Sequence, residues 1–287
     1  MSRVFRFVSA SLLIVILLTG CATPFSQYTS YVTGVSNGDN LQSDVTSNIW
    51  EYDKQREKEP AEVLTVPIEG MQVTGTYSNT KTQYRNSFRS HEYWNEIGQR
   101  FRVNALTGEV HSYFDVGYYR EADAAKTMPP DPRVYTQELA TTIAKKYVDV
   151  GDYKLELMNP DATEESTGFI YRFTKYLAGL PTNDYVWIAL TRKGTLISLE
   201  YGDLGMFDDI RSSSISLNAI DKSIQETVAE RYSNSELGTY LSHEVRDQKI
   251  CRTPNNKLAV VSEVIVTIKS NSGEEWKGLF DITTVIE

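Results

Sequence analysis

Apolar and polar residues alternate strictly in several short stretches of the chain. Met71, Val73, Gly75 and Tyr77 alternate with Gln72, Thr74 and Thr76, and Phe101, Val103 and Ala105 alternate with Arg100, Arg102 and Asn104. A period of two predicts strands with one buried face. Leu106-Thr107-Gly108-Glu109 then forms a turn into Val110–Phe114, which predicts a hairpin. Two segments change to a helical period. In Thr136–Val150, Leu139, Ile143 and Tyr147 share a stripe beside Ala140, Ala144 and Val148. In Ser216–Tyr232, Ile220, Ile224, Val228 and Tyr232 recur every fourth residue. Thr136 and Ser216 are the predicted N-caps, and Glu138 and Asp221 near the starts suit the helix dipole. Each helix reads as a one-sided packer against a sheet.

Strand patterns follow both helices in a similar order. After the first come Tyr153–Leu157, Phe169–Phe173, Tyr185–Leu190 and, beyond the turn Arg192-Lys193-Gly194, Thr195–Leu199. After the second come Tyr240–Ile250, Leu258–Ile268 and, beyond Ser270-Asn271-Ser272-Gly273, Trp276–Ile286. The two helix starts lie 80 residues apart, a weak internal repeat of one helix plus about four antiparallel strands. The part before residue 130 supplies strands without a helix and reads as a degenerate copy, set off by Met128-Pro129-Pro130-Asp131-Pro132. The expected fold class is therefore α+β. Its tandem units, each about one helix on a roughly four-stranded antiparallel sheet, are expected over 62–132, 133–210 and 211–287.

The first residues read differently. Arg3 and Arg6 precede an uncharged apolar run, Phe7–Leu18. Twelve helical residues rise roughly 18 Å, short of the roughly 30 Å of a bilayer core, so the run is expected to be a signal's apolar region over residues 1–20. It ends in Leu18-Thr19-Gly20-Cys21, which resembles the bacterial lipobox. That resemblance implies cleavage before Cys21 and lipidation of its thiol with acyl chains such as palmitate. Two or more chains anchor stably, at about 0.8 kcal/mol per buried methylene. From Cys21 to Ala61 the composition is polar and turn-prone, and a flexible tether is expected. Ala22 is not Asp, so a two-membrane cell is expected to pass the protein to its outer membrane. A one-membrane cell would keep it on the outer leaflet of the cell membrane.

Asn104-Ala105-Leu106-Thr107-Gly108-Glu109-Val110 is similar to the Asp-Ala-x-Thr-Gly-x-Val turn of PepSY domains. The block from Glu138-Leu139-Ala140 through Tyr171-Arg172-Phe173 and Asp184-Tyr185-Val186 to Gly194-Thr195-Leu196 also resembles that family. Two positions depart from its pattern: Asn104 replaces the usual Asp, and Thr191-Arg192-Lys193-Gly194 lacks the Asp-Ala-x-Thr-Gly form. The resemblance implies a non-enzymatic module that binds and restrains extracytoplasmic peptidases or other envelope hydrolases. It brings no catalytic residues and no cofactor.

Charge and candidate chemistry narrow the reading further. The chain carries a net charge of −9, and −11 without residues 1–20, which argues against nucleic acid as a partner. Cys251 has no partner if Cys21 is lipidated, so no internal disulfide is expected, and Cys251 reads as a buried, inert thiol. His91-Glu92 begins like a zinc-protease motif, but Asn95 stands where the second histidine belongs. His111 and His243 stand alone, and all three histidines read as solvent-facing or hydrogen-bonded strand residues. Asp203, Asp208 and Asp209 lack the spacing of a helical calcium loop and read as a solvated linker. Tyr118, Phe207 and Trp276 are candidates for an exposed partner surface. No catalytic, metal or cofactor residues are therefore expected, and Cys21 is the one assigned site. The expected role is a membrane-anchored module that restrains or scaffolds an envelope peptidase or cell-wall hydrolase. The alternatives are an envelope enzyme built on scattered carboxylates, and a purely structural envelope lipoprotein.

Overall fold

The computed structural model describes residues 28–35, 48–82, 85–163, 167–233 and 238–286. Cys21 and the expected signal lie outside them. Among the described residues no helix is long and apolar enough to cross a membrane.

The elements run β1 (Tyr28–Val35), β2 (Val63–Ile68), β3 (Met71–Thr82), β4 (Arg89–Trp94), β5 (Gln99–Asn104), β6 (Val110–Asp115), α1 (Tyr119–Ala124) and α2 (Pro132–Ala144). There follow β7 (Tyr153–Leu157), β8 (Gly168–Leu177), β9 (Leu180–Thr191), β10 (Leu196–Tyr201), α3 (Leu217–Ser233), β11 (Thr239–Arg252), β12 (Leu258–Lys269) and β13 (Glu275–Ile286). The strands pair in the order β1-β13-β12-β11-β9-β10-β6-β5-β4-β3-β2, with β8 on β9 and β7 on β8. One parallel bridge, Ile250 with Thr182, makes this thirteen-stranded sheet mixed.

The tandem arrangement of one helix on four strands is thereby overturned. Strands β10 and β6 are hydrogen-bonded neighbours, pairing Ser198 with Phe114, Leu199 with Tyr113 and Glu200 with Ser112. That ladder fuses the segment expected as 62–132 to the one expected as 133–210. Periodicity shows which side chains face a core, but it does not show which strand lies alongside. The chain forms two compact units, one of residues 49–215 and 249–257, the other drawn from the described residues before 49 and from 216–248 and 258–286.

In the larger unit nine strands form one antiparallel run, β7-β8-β9-β10-β6-β5-β4-β3-β2. Tyr93, Phe101, Tyr113, Tyr171, Phe173 and Ile188 fill its core, together with Ala140, Ile143 and Ala144 of α2. The Tyr93 and Phe101 rings stack at 5.1 Å between centroids. Gly75 makes room for them, because a Cβ there would lie 2.9 Å from Phe101 Cε1. Helix α2 starts earlier than Thr136: Asp131 is its cap, accepting from the backbone N–H groups of Arg133 and Val134 at 3.1 and 3.0 Å. The proline run expected as a joint instead supplies Pro132 to the first turn, where its fixed φ is favourable. Thr136 is buried inside the helix and hydrogen-bonds Tyr171 Oη at 2.8 Å.

In the smaller unit α3 packs against β1, β12 and β13. Ile220, Ile224, Val228 and Tyr232 are its buried stripe, and Ser216 Oγ caps it by accepting from Ala219 N at 3.3 Å. Strand β1 lies within the expected tether and pairs with β13, from Tyr28 opposite Ile286 to Val35 opposite Phe280. Later parts of that segment also fold. Trp50 is buried, Tyr52 Oη donates to Asn86 O at 2.9 Å, and Lys58 N donates to Ala105 O at 2.7 Å.

Candidate functional site

Alternation in the larger sheet sends Phe101, Val103 and Tyr113 inward and leaves Arg100, Arg102 and Phe114 on the opposite face. Register then lines up Trp94, Arg100 and Phe114 on three neighbouring strands. The Arg100 guanidinium carbon lies 5.0 Å from the Trp94 ring centre and 5.3 Å from that of Phe114. Both rings stay exposed, at 38% and 36%. Cation–π contacts of this kind hold an arginine in place while leaving part of its hydrogen-bonding capacity free.

Glu92 anchors the neighbouring row. Its carboxylate is 1% exposed and takes Lys81 Nζ at 2.7 Å, Arg102 Nε at 2.8 Å and Trp94 Nε1 at 3.1 Å, with Arg100 3.8 Å away. Burial alone would raise its pKa, but the hydrogen bonds from Lys81, Arg102 and Trp94 outweigh it and hold the group at about 2. A carboxylate so strongly held as an anion is not available as a proton donor.

Asp184 and Asp203 are also buried. Asp184 accepts from Tyr153 Oη at 2.6 Å and from Gly205 N at 3.0 Å. Asp203 accepts from Ser87 Oγ at 2.6 Å and Asn183 Nδ2 at 3.0 Å. Burial raises both above the usual carboxylate range, against the pull of those donors. The three acids noted between 203 and 209 do not converge. Asp203 is in this network, Asp208 pairs with Lys175, and Asp209 pairs with Arg252 at 3.0 Å. Only Asp203 is buried; Asp208 and Asp209 are ion-paired but solvent-exposed, as expected of a solvated linker. Among the described residues no three His, Cys, Asp or Glu side chains gather as metal ligands.

Tyr185 is nearly buried and donates to Glu200 Oε1 at 2.6 Å. Two cations approach its ring: Arg172 Cζ at 4.8 Å and Lys249 Nζ at 4.9 Å from the centre. Burial, with Arg172 and Arg85 nearby, lowers the Lys249 pKa to about 8 although Cys251 opposes this. Cys251 is fully buried two residues along the same strand, and burial pushes its thiol up to about 12.

The histidines are structural. His91 Nε2 donates to Lys58 O at 2.8 Å, which leaves Nδ1 to accept from Thr80 Oγ1 at 2.8 Å. His111 contacts Ser90 Oγ at 2.8 Å, and burial, with Arg102 adding to it, lowers its pKa to about 3. His243 bridges Tyr240 and Asp221. Of the aromatic candidates, Tyr118 and Trp276 are exposed, whereas Phe207 is buried with Arg252 at 6.0 Å from its ring centre. Sequence reasoning did not find the Trp94–Arg100–Phe114 row or the Arg172–Tyr185–Lys249 group. Alternation displays each arginine's face, but the ring beside it belongs to another strand. No family model matches the chain, and no curated protein or solved structure matches it significantly.

Proposed function

We propose that the protein is a lipid-anchored, extracytoplasmic binding module that restrains or scaffolds an envelope peptidase or cell-wall hydrolase. The observation that carries this reading is the exposed Trp94–Arg100–Phe114 row on a sheet face that α2 does not cover. Tryptophan and arginine dominate the energetic centres of protein interfaces, because each combines a large contact area with directional polar contacts. Here cross-strand packing has already fixed the arginine, which lowers the entropic cost of docking. The location and the class of partner rest on the export-type leader with Cys21 at its end. Strand β1 begins seven residues beyond Cys21, a reach of at most about 25 Å. A lipidated protein would therefore hold its smaller unit close to the bilayer.

Photo-crosslinkers placed at Trp94 and Phe114 in intact cells, followed by partner identification, test the reading. The expected result is repeated recovery of one extracytoplasmic hydrolase whose activity falls when the purified chain is added. Recovery of no hydrolase, or of one whose activity and position the chain does not affect, would overturn it.

A further inference from the structure

Of the three cations around Glu92, Arg100 alone has its donors unused. Lys81 Nζ and Arg102 Nε approach that carboxylate at 2.7 and 2.8 Å, whereas Arg100 Nη1 lies 3.8 Å away, beyond hydrogen-bond reach. The Arg100 side chain makes no hydrogen bond among the described residues, and none of its three nitrogens is shut off from solvent. Its position is nonetheless fixed over the Trp94 and Phe114 rings. The surroundings are apolar. Val116 N donates to Gly98 O at 2.9 Å, which prolongs the β5–β6 ladder, so alternation carries Val116 to the same face as Phe114. Ile97 stands beside Gly98 in the β4–β5 turn, and both Ile97 and Val116 are more than half exposed.

We propose that this end of β4, β5 and β6 docks an acidic side chain of a partner protein, whose carboxylate pairs with Arg100 while apolar residues beside it lie on Trp94, Phe114, Ile97 and Val116. The inference rests on the binding-module reading and specifies what the partner must carry. A planar guanidinium offers parallel N–H donors that match two coplanar carboxylate oxygens. Lys81 and Arg102 already serve Glu92, and Glu92 and Glu200 are the acids whose charge Arg100 feels. One unengaged cation beside two acids suits a monoanion, because a phosphate dianion would meet twice the repulsion. The apolar rim excludes water once the partner is seated, which strengthens the pair at its centre.

The test selects binders to the full chain from a random twelve-residue peptide library. The expected peptides carry Asp or Glu next to aliphatic or aromatic residues and bind Arg100→Gln about tenfold or more weakly than wild type. Converting the peptide's acid to its amide is expected to weaken binding as much, and combining both changes to add little further. Arg100→Lys keeps the charge but not the fork, so it is expected to bind several-fold more weakly than wild type, and it carries the comparison if Arg100→Gln does not fold. Selection of no peptide, of peptides without an acid, or of acids whose loss simply adds to that of Arg100 overturns the site. Coupling of a peptide acid to Arg100 upholds it even where crosslinking recovers no hydrolase. A recovered hydrolase that binds Arg100→Gln as tightly as wild type overturns the site and leaves the module reading standing.

Discussion

Arg102 Nε donates to Glu92 Oε2 at 2.8 Å across the β4–β5 ladder, beneath the exposed aromatic row. Lys81 and Arg100 share the same carboxylate, so a single negative charge holds three cations together. Replacing it with a neutral amide leaves those cations to repel one another in a partly dehydrated setting. Glu92→Gln is therefore expected to cost about 2–4 kcal/mol, read from the midpoint of urea unfolding. A loss under 1 kcal/mol would show that the cluster relaxes into solvent instead.

Acid should weaken the fold in two overlapping steps. His111 has a folded pKa of about 3 against 6.5 when unfolded, so the neutral ring is the folded form. Its contribution is complete above pH 6.5 and is lost progressively as pH falls toward 3, by about 2 kcal/mol at pH 5. Glu92 has a folded pKa of about 2 against 4.5, so its contribution is complete above pH 4.5 and disappears between there and about 2. Stability curves against pH for wild type and His111→Gln test this. The variant should be flatter than wild type between pH 6.5 and about 3, and the two should fall in parallel only below that.

Gly75 tests the stacked core. A methyl group there meets Phe101 Cε1 at 2.9 Å and Tyr93 Cβ at 3.0 Å, and neither atom is the loose end of a flexible chain. Gly75→Ala is expected to destabilise the larger unit by about 1–3 kcal/mol, although alanine is ordinarily tolerated in strands. Unchanged thermal unfolding would mean that the ring pair has room to slide.

The proposed anchor has its own test. Replacing Cys21 with Ala is expected to abolish both incorporation of labelled palmitate and cleavage before residue 21, as read by autoradiography and intact mass. Label retained in the variant would move the attachment elsewhere.

Local structure was largely legible in the sequence. The Phe101–Ala105 alternation and the Gly108 turn form the β5–β6 hairpin. In that turn Asn104 Oδ1 accepts from Leu106 N at 2.8 Å, so an amide serves there as well as a carboxylate. The four-residue recurrence from Ile220 to Tyr232 became the buried stripe of α3. What periodicity could not supply was partnership over distance. Phe114 and Ser198 are 84 residues apart yet face each other across β6 and β10, and that pairing decided the architecture. The candidate sites failed to show for the same reason. Trp94, Arg100 and Phe114 belong to three strands, and Arg172, Tyr185 and Lys249 to another three, so neither group forms a motif that spacing can reveal.

The pairing of Tyr28 with Ile286 has a kinetic consequence. These residues lie 258 positions apart, so the ribosome makes one long before the other. The four-stranded part of the sheet to which they belong stays incomplete until residue 286 has been made, and closing a loop of that size is slow. Until then the edge of β1 is open to unwanted association, and export through a narrow translocon, which the proposed function requires, would delay this ladder until arrival.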